Sequence, residues 1–115
     1  MPKKTEKPKE QNKQTYEGKP ANSLILLGIF SVAEASKKCT FERLVAECFS
    51  LSPKTFSFNA YPHWPDARKL DRPLRALRDD GLVSGDPKTQ FELTKQGRVL
   101  AEEIARTFRQ AKLEF

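Results

Sequence analysis

The residues best suited to chemistry in this sequence are five cations between positions 68 and 78. They are Arg68, Lys69, Arg72, Arg75 and Arg78. Only Asp71 opposes them in that stretch, so its excess charge is 5 − 1 = +4. Guanidinium groups donate paired hydrogen bonds in a geometry that fits phosphate oxygens and the edge of guanine. The pattern therefore indicates a surface that could hold a polyanion.

Leucines lie between these cations at a spacing that predicts a helix, and this helix would position the cations. At about 100° per residue, the leucines at 70, 74 and 77 share one arc, and most of the arginines share the opposite one. Pro73 is tolerated only in the first turn of a helix, so the sequence predicts a helix capped by Asp71 and ended by Gly81. The alternative is a solvated helix in which Asp71, Arg75 and Asp79, spaced four apart, form weak ion pairs.

A small hairpin is predicted directly after this helix. Leu82 and Val83 form its first strand, residues 85–88 read Gly-Asp-Pro-Lys, which favours a turn, and residues 90–93 alternate as the returning strand. Thr94 is then expected to cap a long last helix.

Two helices are predicted before the basic one. Asn22 or Ser23 can cap "LILLGIFSVAEAS", which is apolar almost all round and should be central to the core. Thr40 can cap "FERLVAECF". The fold class is therefore mainly α with a small β-hairpin, that is, α+β.

An unusual segment, "SPKTFSFNAYPHWP", separates the second helix from the basic one. Its prolines disfavour helix, and it holds four large aromatics, Phe56, Phe58, Tyr61 and Trp64. We expect most of these rings to fold back on the core. The alternative is an exposed aromatic surface for a protein partner or for base stacking, notably at Tyr61 and Trp64.

Length and charge limit the class of protein. The chain has 115 residues, which suits one small domain, and a formal net charge of +6. Residues 1–20 hold six Lys and three Glu, so half of that charge, 6 − 3 = +3, lies in a predicted disordered basic tail. Residues 21–115 are the predicted domain. The longest apolar run, Leu24 to Phe30, is too short to cross a bilayer, so we expect a cytoplasmic protein without membrane contact.

Neither catalysis nor a cofactor is indicated. Cys39 and Cys48 lie outside any recognised zinc spacing and are expected to be reduced and buried. The single histidine, His63, has no nucleophile or phosphate loop beside it. We therefore expect a protein that is not an enzyme.

The order helix, helix, helix, hairpin, helix resembles the winged helix-turn-helix domain. Over Leu74 to Ile104, the sequence "LRALRDDGLVSG…FELTKQGRVLAEEI" is similar to prokaryotic transcriptional regulators of the MarR and PadR type. The residues that carry the resemblance are Leu77, Gly81, Leu82, Leu93, Thr94 and Gly97.

The resemblance implies a regulator that binds double-stranded DNA. The third helix, about residues 71–80, would enter the major groove with the 82–93 hairpin as its wing. Arg72 and Arg75 would then contact base edges, and Arg68, Lys69 and Arg78 would contact phosphates. The wing would touch the backbone or minor groove through Lys88, Thr89 and Gln90.

The last helix suggests a homodimer. Its apolar stripe continues past the length that one domain needs, and the predicted dimer contacts are Ile104, Phe108, Ala111 and Phe115. The alternative is that these residues close the same core.

A different function is also possible from the sequence, namely a winged-helix adaptor that mediates protein contact in a larger nucleic-acid-processing or defence assembly. The modest domain charge, the single wing lysine and the aromatic segment favour that alternative.

Overall fold

The computed structural model describes Tyr16 and residues 18–113, with side chains described as far as Phe108. It is mainly helical with one small two-stranded antiparallel sheet, which confirms the predicted α+β class. The elements are α1 (Ala21–Glu34), α2 (Phe41–Leu51), α3 (Pro53–Phe56), a 3-10 turn (Ala67–Leu70), α4 (Asp71–Asp79), β1 (Val83–Gly85), β2 (Phe91–Leu93) and α5 (Lys95–Leu113).

Helix α1 forms the centre of the core. Leu24, Ile25 and Ile29 are at most 1% exposed, and both α2 and α5 pack against this helix. Gly28 lies at the crossing of α1 with α2, where a Cβ atom would meet Cys48 Sγ at 3.2 Å. The absence of a side chain at this position therefore allows the two helices to approach closely.

The start of α1 differs from the prediction. The helix begins at Ala21, and neither Asn22 nor Ser23 caps it. Pro20 is the N-cap residue and supplies no side-chain hydrogen bond, but its carbonyl accepts from the Leu24 backbone N–H at 3.1 Å. The first helical turn therefore closes earlier than polar capping residues would indicate.

The two predicted threonine caps are confirmed. Thr40 Oγ1 accepts a hydrogen bond from the Arg43 backbone N–H at 3.2 Å, and α2 follows at once. Thr94 Oγ1 accepts from the Gly97 backbone N–H at 3.0 Å at the start of α5. In both cases a hydroxyl oxygen satisfies a donor that has no partner within the helix.

Two residues of the predicted tail contact Phe108 on α5. The Tyr16 ring lies 5.2 Å from the Phe108 ring, centroid to centroid, and Lys19 Nζ lies 5.0 Å from the centroid of the same Phe108 ring. Part of the segment assigned to a tail thus packs on α5. The rest of the predicted tail, residues 1–15 and 17, lies outside the described residues.

Both cysteines are free and buried, as predicted. Burial raises the pKa of the Cys39 thiol to about 11, and the nearby Glu47 carboxylate acts in the same direction. Burial also raises the pKa of Cys48.

Among the described residues, no cluster of His, Cys, Asp or Glu could hold a metal ion. No helix in the described part of the chain has the length and apolar character needed to cross a membrane.

Candidate nucleic-acid interface

Helix α4 is held on the protein by its leucine side, as the sequence predicts. Leu74 is 4% exposed and Leu77 is 2% exposed, and Leu70 in the preceding turn is fully buried. Burial of a leucine side chain contributes roughly 1.5–3 kcal/mol, so these three contacts fix which side of the helix faces outward.

The beginning of α4 corrects one detail of the prediction. Asp71 is the first helical residue and not the N-cap, because the 3-10 turn runs directly into α4 and Leu70 already has helical backbone angles. The capping role belongs to Asp66, whose Oδ1 accepts from the Arg68 backbone N–H at 3.1 Å. Pro73 still lies in the first turn of α4, where its missing N–H removes no intrahelical bond.

Helix α4 carries three arginines, and we refer to Arg72, Arg75 and Arg78 as the arginine face. All three are exposed. Arg72 and Arg75 lie opposite the buried leucines, and Arg78 lies nearer to them. In the described part of the chain, no carboxylate oxygen lies within 4.0 Å of any of their guanidinium nitrogens. The ion pairs that the spacing of Asp71, Arg75 and Asp79 allows are therefore not formed. The charge of α4 itself is only 3 − 2 = +1, so its attraction for an anion is local.

The other two predicted cations, Arg68 and Lys69, differ from the arginine face because each already has a neighbour. Arg68 Nε lies 3.2 Å from Asp66 Oδ1, and the Arg68 guanidinium carbon lies 5.7 Å from the centroid of the Phe58 ring. Lys69 Nζ donates to Asn59 Oδ1 at 3.2 Å. The hydrogen bond from the Arg68 side chain lowers the pKa of the Asp66 carboxyl.

The predicted hairpin follows α4, but its first strand is Val83–Gly85 and not Leu82–Val83, so Gly85 belongs to the strand and not to the turn. The antiparallel register of the hairpin is Val83↔Leu93, Ser84↔Glu92 and Gly85↔Phe91. Asp86 Oδ1 shapes the turn by accepting from the backbone N–H groups of Lys88 at 2.8 Å and Thr89 at 3.1 Å. Of the predicted contact residues, Lys88 and Thr89 are exposed, whereas Gln90 is half-buried and donates through Nε2 to Glu92 Oε2 at 2.9 Å.

The residues that carried the family resemblance fasten the hairpin between α4 and α5. Thr94 Oγ1 donates to the Gly81 carbonyl at 2.7 Å, and the Thr94 backbone N–H donates to the Leu82 carbonyl at 3.1 Å. Gly97 lies where a Cβ atom would collide with the Leu82 carbonyl oxygen. Threonine and glycine at this spacing therefore serve a local packing need, independent of any ligand.

The segment between α3 and the 3-10 turn forms a closed loop, and we refer to residues 57–65 as the aromatic loop. Ser57 and Pro65 form an isolated antiparallel bridge at its base. Inside it, the Phe58 N–H donates to the Trp64 carbonyl at 3.0 Å, and the Trp64 N–H donates to the Tyr61 carbonyl at 3.1 Å. Backbone hydrogen bonds thus define the path of the loop.

The prediction that most rings of this segment fold onto the core is wrong for two of the four. Phe56 is fully buried and Phe58 is half-buried, but Tyr61 and Trp64 are each 63% exposed. These two rings stack on one another, with centroids 5.8 Å apart and ring planes 23° apart. The backbone bridge at Ser57 separates the buried ring from the exposed ones.

The predicted dimer residues differ in how far they are exposed. Phe108 is 6% exposed and packs on Tyr16 of the same chain, so its ring is not open to a second subunit. Ile104 is half-buried against the core. The predictions for Ala111 and Phe115 fall outside the described side chains. Val99, which sequence analysis did not single out, is 61% exposed on α5.

Comparison with known proteins yields no significant match. No family model matches the chain, and neither the curated proteins nor the solved structures include one that is significantly similar to it. Functional inference therefore rests on the residues and their geometry.

Proposed function

We propose that this chain is a DNA-binding protein, a transcriptional regulator with a winged helix-turn-helix domain in which α4 enters the major groove. The observation that carries this proposal is the arginine face. It presents three exposed guanidinium groups without a carboxylate within 4.0 Å in the described part of the chain. The opposite side of the same helix is buried, so the helix has one face available for a groove.

The dimensions of α4 suit this role. Its nine residues span about 14 Å, and the major groove is about 12 Å wide and accepts one helix. Arg72 and Arg75 lie on the outermost side and would contact base edges. Arg78 lies nearer the leucine side and would contact a phosphate, as would Arg68 and Lys69. Lys88 and Thr89 of the hairpin would touch the neighbouring backbone or the minor groove.

The absence of ion pairs on the arginine face lowers the free-energy cost of contacting DNA. A guanidinium group held by a carboxylate must lose that partner before it can bind a phosphate, whereas the arginine face has no such pair to break. Lys69 donates to the exposed Asn59, a hydrogen bond that can be exchanged for one to a phosphate oxygen. Arg68 pairs with the buried Asp66 carboxylate, but its own side chain is 78% exposed, so its remaining N–H groups can reach a phosphate.

A salt-titrated binding experiment tests the proposal. A duplex selected from a random library and an unselected duplex are each titrated with wild-type protein, Arg72→Ala and Arg75→Ala. Each substitution should weaken binding to the selected duplex by about 1–3 kcal/mol and should weaken binding to the unselected one less. Arg106→Ala, which removes an exposed arginine from α5, is the matched control and should change neither affinity. Unchanged affinities for every duplex with both α4 variants would overturn the proposal.

The proposal extends to a homodimer. A two-fold dimer would carry two α4 helices about one DNA turn apart and would favour a nearly palindromic site. The exposed Val99 and the half-buried Ile104 supply apolar surface on α5. Light scattering should give twice the chain mass for wild type and a smaller mass for Val99→Asp. A wild-type mass equal to that of one chain would exclude the dimer.

A second candidate function is the winged-helix adaptor, which the exposed Tyr61 and Trp64 rings favour. It predicts no duplex binding near physiological salt and a stable complex with a protein partner. Tyr61→Ala or Trp64→Ala would release that partner without lowering the free energy of unfolding by more than about 1.5 kcal/mol. Duplex binding that depends on Arg72 and Arg75 would reject this candidate.

A further inference from the structure

We propose that the aromatic loop binds an unpaired nucleobase on the Tyr61–Trp64 stack, so that the protein prefers duplex DNA that carries a single-stranded extension. This inference rests on the proposed function for the duplex part of the ligand. It adds a second contact site, made from the loop that leads into α4.

The two rings are exposed although they lie in a well-defined loop. Each is 63% exposed, while Phe56 at the base of the same segment is fully buried. The bridge between Ser57 and Pro65 and the hydrogen bond from the Phe58 N–H to the Trp64 carbonyl fix the backbone beneath the rings. The stack is therefore already formed before any ligand arrives, which lowers the entropic cost of binding.

The geometry of the stack selects the shape of its ligand. The centroids lie 5.8 Å apart with the planes 23° from parallel, so the rings already contact one another. A flat group inserted between them would need about 7 Å, because each stacked contact takes roughly 3.5 Å. A ligand must therefore add to an outer ring face. A planar nucleobase extends such a stack, whereas a puckered proline ring of a peptide fits better between separated aromatic ridges.

Charge at the same loop favours a ligand with phosphates. Lys69 Nζ donates to Asn59 Oδ1 at 3.2 Å, and the Arg68 guanidinium carbon lies 5.7 Å from the Phe58 ring centroid. Both cations are thus held against residues of the loop that carries the stack. Arg68 is also paired with the Asp66 carboxylate at 3.2 Å, so the net charge of Arg68, Lys69 and Asp66 is 2 − 1 = +1. Aromatic rings beside cations are the combination that single-stranded nucleic acids require, because each nucleotide brings one base and one negative charge.

The length of chain between the aromatic loop and α4 gives an upper limit to the distance that a single strand must cover. Pro65 at the end of the loop and Asp71 at the start of α4 are 71 − 65 = 6 residues apart. Six residues span at most about 20 Å, and six nucleotides at about 3.4 Å each span the same distance. Residues 67–70 form a 3-10 turn, so the actual separation of Pro65 and Asp71 is shorter than this limit, and an extension of six nucleotides is long enough to span it.

The chain contains a single tryptophan, so the fluorescence of Trp64 reports on this loop alone. The full chain is titrated with three DNAs that share one duplex: blunt, with a six-thymidine 3′ extension, and with a six-residue abasic 3′ extension. The thymidine extension should quench Trp64 emission and bind about 5- to 150-fold more tightly than the blunt duplex. The abasic extension has the same charge without bases, so it should cause no quenching and should lose most of that gain.

Variants connect the gain to the stack. Tyr61→Ala keeps the fluorophore and should remove the preference for the thymidine extension while blunt-duplex affinity stays unchanged. Tyr61→Phe keeps a ring and should restore the preference. His63→Ala, an exposed change in the same loop but outside the stack, should keep it. Far-ultraviolet circular dichroism and the midpoint of thermal unfolding verify that each variant is folded.

The outcomes separate this inference from the proposed function. Equal affinity for all three DNAs with no quenching overturns the inference and leaves duplex binding intact. Quenching by the thymidine extension without measurable affinity for blunt duplex supports the inference and rejects major-groove binding. Quenching by a proline-rich peptide but by no DNA overturns the inference in favour of a peptide ligand.

Discussion

The arginine face of α4 and the aromatic loop are neighbours along the chain, and both are exposed, yet their side chains are prepared for contact in different ways. The guanidinium groups of the arginine face have no carboxylate within 4.0 Å in the described part of the chain. In the loop and the turn that follows it, several side chains already have a neighbour. Tyr61 stacks on Trp64, and Lys69 donates to Asn59.

Under the two proposals, this difference predicts two kinds of binding. A long unpaired side chain loses about 1.5–2 kcal/mol of rotamer entropy when it is fixed, and its attraction for phosphates is weakened by salt. Rings that are fixed against each other lose little freedom on binding, and their stacking depends on contact area and geometry. We therefore expect the arginine face to give salt-dependent affinity and the aromatic loop to give affinity that depends on the shape of the ligand.

The largest expected effect comes from removing the buried anchor of the loop. Phe56 is fully buried, and its carbonyl accepts from the Asp66 N–H at 2.7 Å at the base of the loop. Phe56→Ala should lower the free energy of unfolding by about 3–5 kcal/mol, measured by urea denaturation. Tyr61→Ala is the matched control and should lower it by at most about 1.5 kcal/mol, the value of a lost ring contact. Similar losses in both variants would mean that the loop has no separate anchor.

The second effect concerns the hairpin, which adjoins the arginine face. Thr94→Ala removes the α5 cap and the hydrogen bond to the Gly81 carbonyl, and it should lower the free energy of unfolding by about 1 kcal/mol. Thr94→Ser keeps the hydroxyl and should keep most of that stability. The emission of Trp64 should be the same in both variants, because the loop does not depend on this cap. A changed emission maximum in Thr94→Ala alone would show that hairpin and loop are coupled.

The third effect separates the two surfaces by their response to salt. Arg78→Ala should make the slope of log affinity against log salt concentration less steep by about 0.9, the value for one lost phosphate contact. Between about 50 and 200 mM salt, this corresponds to about a 3.5-fold smaller loss of duplex affinity. Tyr61→Ala should leave the slope unchanged. Equal changes of slope in the two variants would contradict the division between charge and shape.

The fold could be predicted where the signal was local. Leucine spacing identified the buried side of α4, Asp86 and Pro87 marked the hairpin turn, and Thr40 and Thr94 marked helix starts. Each of these features depends on residues a few positions apart, so the sequence contains the whole interaction.

The prediction failed where the outcome depended on distant parts of the chain. Phe56 and Tyr61 both lie in a proline-rich aromatic stretch, yet only the first is buried, because the loop closes between them. Phe108 fits a dimer stripe by spacing, but the Tyr16 ring covers it. The two residues are 108 − 16 = 92 positions apart in the sequence. No local pattern contains that contact.

The candidate site was predictable in part. The exposure of Arg72 and Arg75 followed from the helical wheel, which did not include Arg78 among the arginines opposite the leucines. The unformed ion pairs of Asp71, Arg75 and Asp79 did not follow, because such exposed pairs contribute only about 0.3–0.5 kcal/mol and spacing alone cannot decide whether they form. Asp66 was missed although it carries a local signal, since aspartate immediately before a helical turn is a preferred cap.

The smallest expected effect tests the residue that joins the two regions. Asp66 lies between the aromatic loop and α4, and the hydrogen bond from the Arg68 side chain lowers the pKa of its carboxyl below the usual 3.8. The folded state therefore prefers the charged carboxylate. Its stabilising contribution is complete above the unfolded pKa and is lost as the pH falls through the lower, folded pKa.

Urea unfolding of wild type and Asp66→Asn between about pH 7 and pH 2 measures this contribution. Wild type should be the more stable protein at neutral pH, and the gap between the two should close in the acid range. Arg68→Ala should move that loss to higher pH, because the Asp66 carboxyl then lacks the donor that lowers its pKa. A difference in free energy of unfolding that stays constant down to pH 2 would mean that Asp66 stabilises the fold through its shape and its backbone hydrogen bond. The ion pair with Arg68 would then contribute nothing to stability.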